Sequence, residues 1–237
     1  MAVNVQKIVE RMREEGYINT IRRYKYQVTA EETLDLMRAF GEARTTKFVI
    51  DKDNEWVYMQ LAKWLIGDVT MQAQDPNTKK VITGNLRAGI YIAGNTGRGK
   101  SWALDIAQMI ARAFEIRIDF GEEKRWLYWV TARADQICDK YATSGDTQAY
   151  KKAGVLCIQD LGTEPNETLY MGNRLQPLRQ VLEHRGDMDM SITLISSNYG
   201  LHHEALRQKY GDRVCSRLRE MCNYLELQGK DRRLTNN

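Results

Sequence analysis

The chain has 237 residues, enough for one sizeable core and a small appendage. Hydrophobic residues make up 43% and charged residues 28%, the balance of a globular protein, and no apolar run reaches the length of a membrane span, so a membrane role is excluded. A formal net charge of +4 permits contact with nucleic acid but is too small to require it.

The opening residues lead into Glu10-Arg11-Met12-Arg13-Glu14-Glu15 rather than into an apolar signal core, which predicts a cytoplasmic protein. Apolar residues at Val5, Ile8, Val9 and Met12 predict a short amphipathic helix over 3–15. Basic and aromatic residues interleave in Arg22-Arg23-Tyr24-Lys25-Tyr26, which reads as a connector able to touch nucleic acid. Thr29-Ala30-Glu31-Glu32 forms a capping box that opens a second helix, and a third runs from Trp56 to Gly67. Residues 1–70 therefore read as an all-helical, partner-binding region, and the polar stretch 71–86, with Asp75-Pro76-Asn77 and Lys79-Lys80, as a linker.

From residue 87 onward, apolar strand patterns alternate with helical ones. Strands are expected at Ala88–Ala93, Trp126–Val130, Val155–Ile158, Ile192–Ser196 and Tyr224–Leu227, with helices from Lys100, near Asp135, near Leu175 and over 206–221. Such alternation predicts an α/β domain over 87–237 with a largely parallel sheet. Cys138, Cys157, Cys215 and Cys222 show no C-x-x-C pair and read as reduced core thiols. His202 and His203 are adjacent and diverge on any regular element, so they read as surface or capping residues, and no zinc site is expected.

The residues that carry chemistry begin with Gly94-Asn95-Thr96-Gly97-Arg98-Gly99-Lys100-Ser101, a G-x-x-x-x-G-K-[ST] loop set between an apolar strand and an apolar helix. The glycines let backbone N–H groups converge on phosphate oxygens, and the helix that follows presents its positive dipole end to them. Lys100 reaches the terminal phosphates, and the Ser101 hydroxyl is placed to coordinate magnesium, so the expected ligand is ATP with Mg²⁺. A second apolar strand, Val155 to Ile158, runs into Gln159 and Asp160. A carboxylate at the carboxyl end of a parallel strand faces the ligand crevice, which makes Asp160 the candidate acid of the site.

Taken in order, these segments resemble the DnaC/IstB-type ATPases of the AAA+ superfamily, which load replicative helicases or assist transposases. In that family the strand usually ends in two acidic residues, the first serving the metal and the second polarising the attacking water. The resemblance puts Asp160 in the second position and an amide, Gln159, in the first. The alternative keeps Asp160 for the metal and gives water activation to Glu164. Ser191 to Asn198 is similar to the family's sensor strand, which implies that Asn198 orients the water; the same residue also suits the turn Asn198-Tyr199-Gly200.

Gly211-Asp212-Arg213-Val214-Cys215-Ser216-Arg217-Leu218 looks like the family's G-x-R-x-x-[SD]-R segment. By that resemblance Arg217 is an arginine finger acting in trans and Arg213 its companion, and their i, i+4 spacing puts both on one helical face. The family's fold is a P-loop NTPase of AAA+ type with a five-stranded, mostly parallel sheet and, like the closing stretch Gly229–Arg233, no C-terminal helical lid. The resemblance implies an ATPase and helicase loader that self-associates and acts with a replicative helicase and single-stranded DNA, with Arg117, Lys124, Arg125, Lys151 and Lys152 as candidate DNA contacts. A nucleotide-gated transposition helper with hydrolysis weakened by Gln159 is the alternative, and a small-molecule P-loop kinase a third.

Overall fold

The computed structural model describes residues 4–15 and 21–232. In chain order its elements begin with α1 (Val5–Glu14), β1 (Ile21–Arg23), α2 (Ala30–Arg44), α3 (Glu55–Ile66), β2 (Gln72–Gln74) and β3 (Val81–Thr83). Then come β4 (Gly89–Ala93), α4 (Lys100–Ala113), β5 (Arg117–Phe120), β6 (Glu123–Trp126), β7 (Val130–Arg133), α5 (Ala134–Ser144) and α6 (Gln148–Lys152). The remainder is β8 (Val155–Leu161), β9 (Thr168–Tyr170), β10 (Asn173–Leu175), α7 (Pro177–Gly186), β11 (Ile192–Ser197), α8 (Glu204–Met221) and β12 (Cys222–Glu226). Arg233, the last residue of the expected closing stretch, lies outside the described residues.

The central sheet has the order β12-β4-β11-β8-β7, and every neighbouring pair in it is parallel. All five residues of β4 and all six of β11 are buried, as expected of strands covered on both faces. Alternation along β4 sends Ile90 and Ile92 into one core layer and Tyr91 and Ala93 into the other. Helices α2, α3 and α4 close the first layer through Leu34, Met37, Leu61, Trp64 and Leu104. The second is closed by α5, α7 and α8 through Ile137, Val181, Leu182, Leu206, Val214 and Leu218.

Helix α2 starts as its sequence predicts. Thr29 Oγ1 accepts from the Glu32 N–H at 3.1 Å, and the Glu32 carboxylate accepts from the Thr29 N–H at 2.8 Å. Helix α3 stops at Gly67, where φ is 71° and a Cβ would lie 2.2 Å from the Tyr24 carbonyl, so only glycine fits there. The fully buried Trp64 donates its indole N–H to Ala88 O at 2.9 Å, tying α3 to the start of β4. Truncating a side chain of this kind to alanine costs about 3–5 kcal/mol.

Three expectations need correction. The region before residue 71 is not all helix, because β1 pairs antiparallel with β5. The polar stretch 71–86 carries the β2–β3 hairpin, which leans on β12: the Glu226 N–H donates to Gln74 Oε1 at 2.9 Å, and Lys79 reaches the Tyr224 hydroxyl, also at 2.9 Å. Its polar residues satisfy one another in the turn, where Asp75 Oδ1 accepts from Thr78 N at 2.7 Å, so composition alone hides the strands. Finally, 126–130 is not one strand. The chain bends at Leu127, with Tyr128 N bonded to Trp126 O at 2.8 Å, so Trp126 ends β6 and Val130 begins β7.

The four cysteines are all buried, as their apolar settings predict. His203 is the N-cap of α8, its Nδ1 accepting from the Ala205 N–H at 3.2 Å.

Candidate nucleotide site

The loop Gly94–Ser101 leaves the carboxyl end of β4 and turns into α4. Gly97 has φ 80° and a Cβ there would collide with the Asp231 carboxylate; Gly99, at φ 87°, is the N-cap of α4. The N-cap glycine has no side chain with which to cap this helix, and the N-terminus of a helix favours an anion. Lys100 is only 6% exposed, which for an ammonium requires partners. Its Nζ donates to Gly94 O at 2.7 Å, Asn95 O at 3.0 Å and Asn198 Oδ1 at 2.7 Å. The loop and the end of β11 are thereby joined through one cation.

Asp160 is delivered by an irregularity in β8. Ile158 pairs with Ile195 and Leu161 with Ser197, so Gln159 and Asp160 together face the single residue Ser196. Such a bulge re-aims side chains next to a site, and Asp160 sits in it with φ 57°. Its N–H donates to Ser196 Oγ at 3.1 Å, and that oxygen lies 3.5 Å from Ser101 Oγ. Three sequence segments thus meet at one serine that sequence reading had not marked.

Gln159 turns away from this point. Its Nε2 donates to Asp105 Oδ1 at 2.9 Å, one turn beyond Ser101 on α4, and the other oxygen of Asp105 lies 3.5 Å from Arg44. Burial lifts the Asp105 carboxyl above its ordinary range against the pull of Arg44 and Gln159. A carboxylate therefore does stand beside Gln159, on the helix rather than on the strand.

The cleft over the loop has a volume of about 460 Å³ and is lined by Gly97, Lys100, Ser101, Asp160 and Asn198. That is within the usual size range of small-molecule sites. The same cleft is lined by Phe48, Tyr58 and Trp102, with ring centroids 5.7 Å apart for Phe48 and Tyr58 and 6.2 Å for Phe48 and Trp102. Arg44 stacks over the Trp102 ring at 4.4 Å. Lys47, Arg98, Arg133 and Arg232 add positive charge, and Arg133 Nη1 lies 3.5 Å from Asp160. The aromatic wall comes largely from the segment around α2 and α3, and nothing local in that segment marks it as part of a pocket. Ser101 and Asp160 offer the hard oxygen ligands that Mg²⁺ takes beside phosphate, so these residues fit the ion.

Glu164 does not reach the cleft. It is 4% exposed and is held by the Gly162 N–H at 2.9 Å, Lys209 at 3.2 Å and the Tyr210 hydroxyl. Burial and this carboxylate push the Tyr210 hydroxyl pKa up. Arg213 and Arg217 also lie away from the cleft. Both bind Asp187, at 3.1 and 2.6 Å, and Arg217 lines a separate groove with Ala88 and Ser191, the residues that precede β4 and β11. This is the amino end of the sheet, opposite the loop.

No family model matches the chain, and no curated protein matches it in sequence. Among solved structures it is similar to a structural-genomics primosome-component candidate from Streptococcus pyogenes serotype M3, with a TM-score of 0.51, 16% identity, and coverage of 77% of this chain and 83% of that one. It is also similar to domain III of the replication initiation protein DnaA from Thermotoga maritima, with a TM-score of 0.52, 15% identity, and coverage of 78% and 67%. At such identities the likeness concerns architecture. With five parallel strands in the order β12-β4-β11-β8-β7, helices on both faces and the phosphate loop after β4, the chain has a P-loop type of α/β fold, the architecture it shares with that DnaA domain.

Proposed function

We propose that this chain is an ATP-dependent accessory protein of DNA replication, a helicase loader that acts on single-stranded DNA and a replicative helicase. The observation that carries the reading is the separation of Arg213 and Arg217 from the chain's own cleft: phosphate contacted by them belongs to a neighbouring copy. Nucleotide then orders subunits, as a switch requires. The likeness of the fold to replication proteins favours DNA replication as the setting.

In this reading the loop N–H groups and Lys100 hold the phosphates, and Ser101 would hold Mg²⁺, which supplies charge neutralisation when bound. Asp160 is the acid that polarises water. Asn198 loses or keeps its bond to Lys100 according to what occupies the cleft, and so reports the nucleotide to β11. Arg217 of the neighbour meets the developing charge on the terminal phosphate, with Arg213 beside it. Partner-protein contacts in this reading come from the exposed surface of residues 1–70, since α2 and α3 are packed in the core, and the setting is cytoplasmic; among the described residues no helix is long and apolar enough to cross a membrane.

One observation favours the second reading, a transposition-helper type of adaptor with slow hydrolysis. The Gln159 amide is committed to Asp105 and brings no charge to the cleft. ATP turnover with and without single-stranded DNA and the replicative helicase of the same genome tests both. Stimulation of turnover by DNA or co-elution with the helicase supports the loader. ATP-dependent self-association without DNA-stimulated turnover supports the adaptor. Labelled phosphate transferred to a small acceptor overturns both.

A further inference from the structure

The sheet β1-β5-β6 takes no part in the nucleotide site, and its two faces differ. On one, Ile21, Ile118 and Phe120 enter the core; Arg23 folds inward to donate to Trp64 and Leu86 carbonyls, and Arg125 lies over Phe120 at 4.1 Å. On the other, Arg22 stands opposite Asp119 and Asp119 opposite Lys124, while Arg117 stands opposite Trp126. Arg22, Arg117, Lys124 and Trp126 are all exposed, Trp126 by 47%. Asp119 is buried beneath them and accepts a hydrogen bond from the Tyr24 hydroxyl.

The half-buried Tyr24 and the exposed Trp126 and Tyr128 each have a guanidinium against the ring. Arg22 lies 5.2 Å from the Tyr24 centroid, Arg117 4.5 Å from Trp126, and Arg112 4.7 Å from Tyr128, which is 48% exposed just beyond the bend at Leu127. The acid on this face is the buried Asp119; Glu115 precedes β5, Glu122 lies in the β5–β6 turn, and Glu123, at the start of β6, lies 3.6 Å from Arg125. Two sequence segments nearly a hundred residues apart, Arg22–Tyr26 and Arg112–Tyr128, are brought together here. Neither one alone distinguishes a binding surface from a solvated face.

We infer that this outer face of β1-β5-β6, with Tyr128 at its margin, binds single-stranded nucleic acid. Unpaired bases stack on Trp126 and Tyr128, and Arg22, Arg112, Arg117 and Lys124 neutralise the phosphates that run between them. A duplex keeps its bases stacked on each other and has no use for the rings, which is what favours a single strand here. Of the basic residues singled out in the sequence, Arg117 and Lys124 belong to this surface, whereas Arg125 is turned inward. The inference rests on the nucleic-acid part of the proposed function and gives that part a location.

Anisotropy of labelled oligo(dT) and oligo(U) with the full chain and saturating ATP tests it. Replacing both rings, W126A with Y128A, lowers affinity on the order of 100-fold, because each stacked base contributes appreciably to binding. Replacing Lys124→Ala flattens the dependence of log affinity on log salt by about 0.7. ATP affinity, measured in parallel, stays unchanged, since none of these residues lines the nucleotide cleft. Preference for oligo(dT) or oligo(U) identifies the natural strand as DNA or RNA. If the wild type binds and the ring variant binds equally well, the surface is wrong and the functional reading stands. If the wild type binds neither strand in any nucleotide state, the nucleic-acid part of the reading falls with the surface. Should the ring variant lose ATP affinity through misfolding, the exposed reversal Lys124→Glu replaces it, and unchanged strand affinity in that variant overturns the inference.

Discussion

The two ends of the central sheet are built on different terms. At the carboxyl end, Lys100 is buried and held by three oxygens within 3.0 Å, and Asp160 is set in a bulge against Ser196. At the amino end, Arg213 and Arg217 share Asp187 at the surface. Exposed ion pairs of that kind contribute about 0–1 kcal/mol, so they are readily exchanged for another partner. On the proposed reading the difference separates the two halves of the activity: the phosphate loop and its cleft lie within one chain, whereas Arg213 and Arg217 stand at the other end of the sheet from their own chain's cleft.

The sharpest way to break this comparison is Arg217→Ala. If Arg217 is an arginine finger, turnover should fall on the order of 1,000-fold, with ATP affinity of the isolated chain unchanged. A comparable loss of affinity in titration calorimetry would place Arg217 in its own chain's site and undo the contrast. At the other end, Lys100→Ala should weaken ATP binding roughly 100-fold, since a buried cation meeting phosphate forms strong charge-assisted bonds. Retained affinity there would mean the loop does not hold phosphate.

Smaller effects refine the carboxyl end. Trp102→Ala should weaken ATP and ADP binding alike, roughly tenfold, if the aromatic wall holds the base. A loss confined to ATP, read by competition with a fluorescent nucleotide, would move Trp102 to the phosphate end. Gln159→Asp should cost about 1–2 kcal/mol of stability in urea denaturation, because it sets a second carboxylate against Asp105 where an amide now donates. Adding Asp105→Asn should recover that loss. A stabilised single variant would show that Gln159 and Asp105 do not form the pair described.

Much of the candidate site was legible because a phosphate-loop pattern is local. Eight consecutive residues between a strand and a helix define the loop, and their spacing survives any packing of the rest. The capping box at Thr29 and the stop at Gly67 were legible for the same reason. The aromatic wall at Phe48 and Tyr58 was not, since apolar residues at helical spacing look identical whether they meet a core or a ligand. Nor was Ser196: an ordinary strand serine becomes the junction of Ser101 and Asp160 only through the bulge in the neighbouring strand.

By itself, then, the sequence determined the α/β class, the loop and the order of the strands along the chain, because propensity, alternation and turn chemistry act over a few residues. Only the tertiary structure decided that Gln159 faces Asp105, that Glu164 is spent on Lys209 and Tyr210, and that Arg22, Arg117 and Trp126 share one face. Each of these depends on register and packing between segments far apart in the chain, and no local pattern encodes which distant partner a side chain will meet.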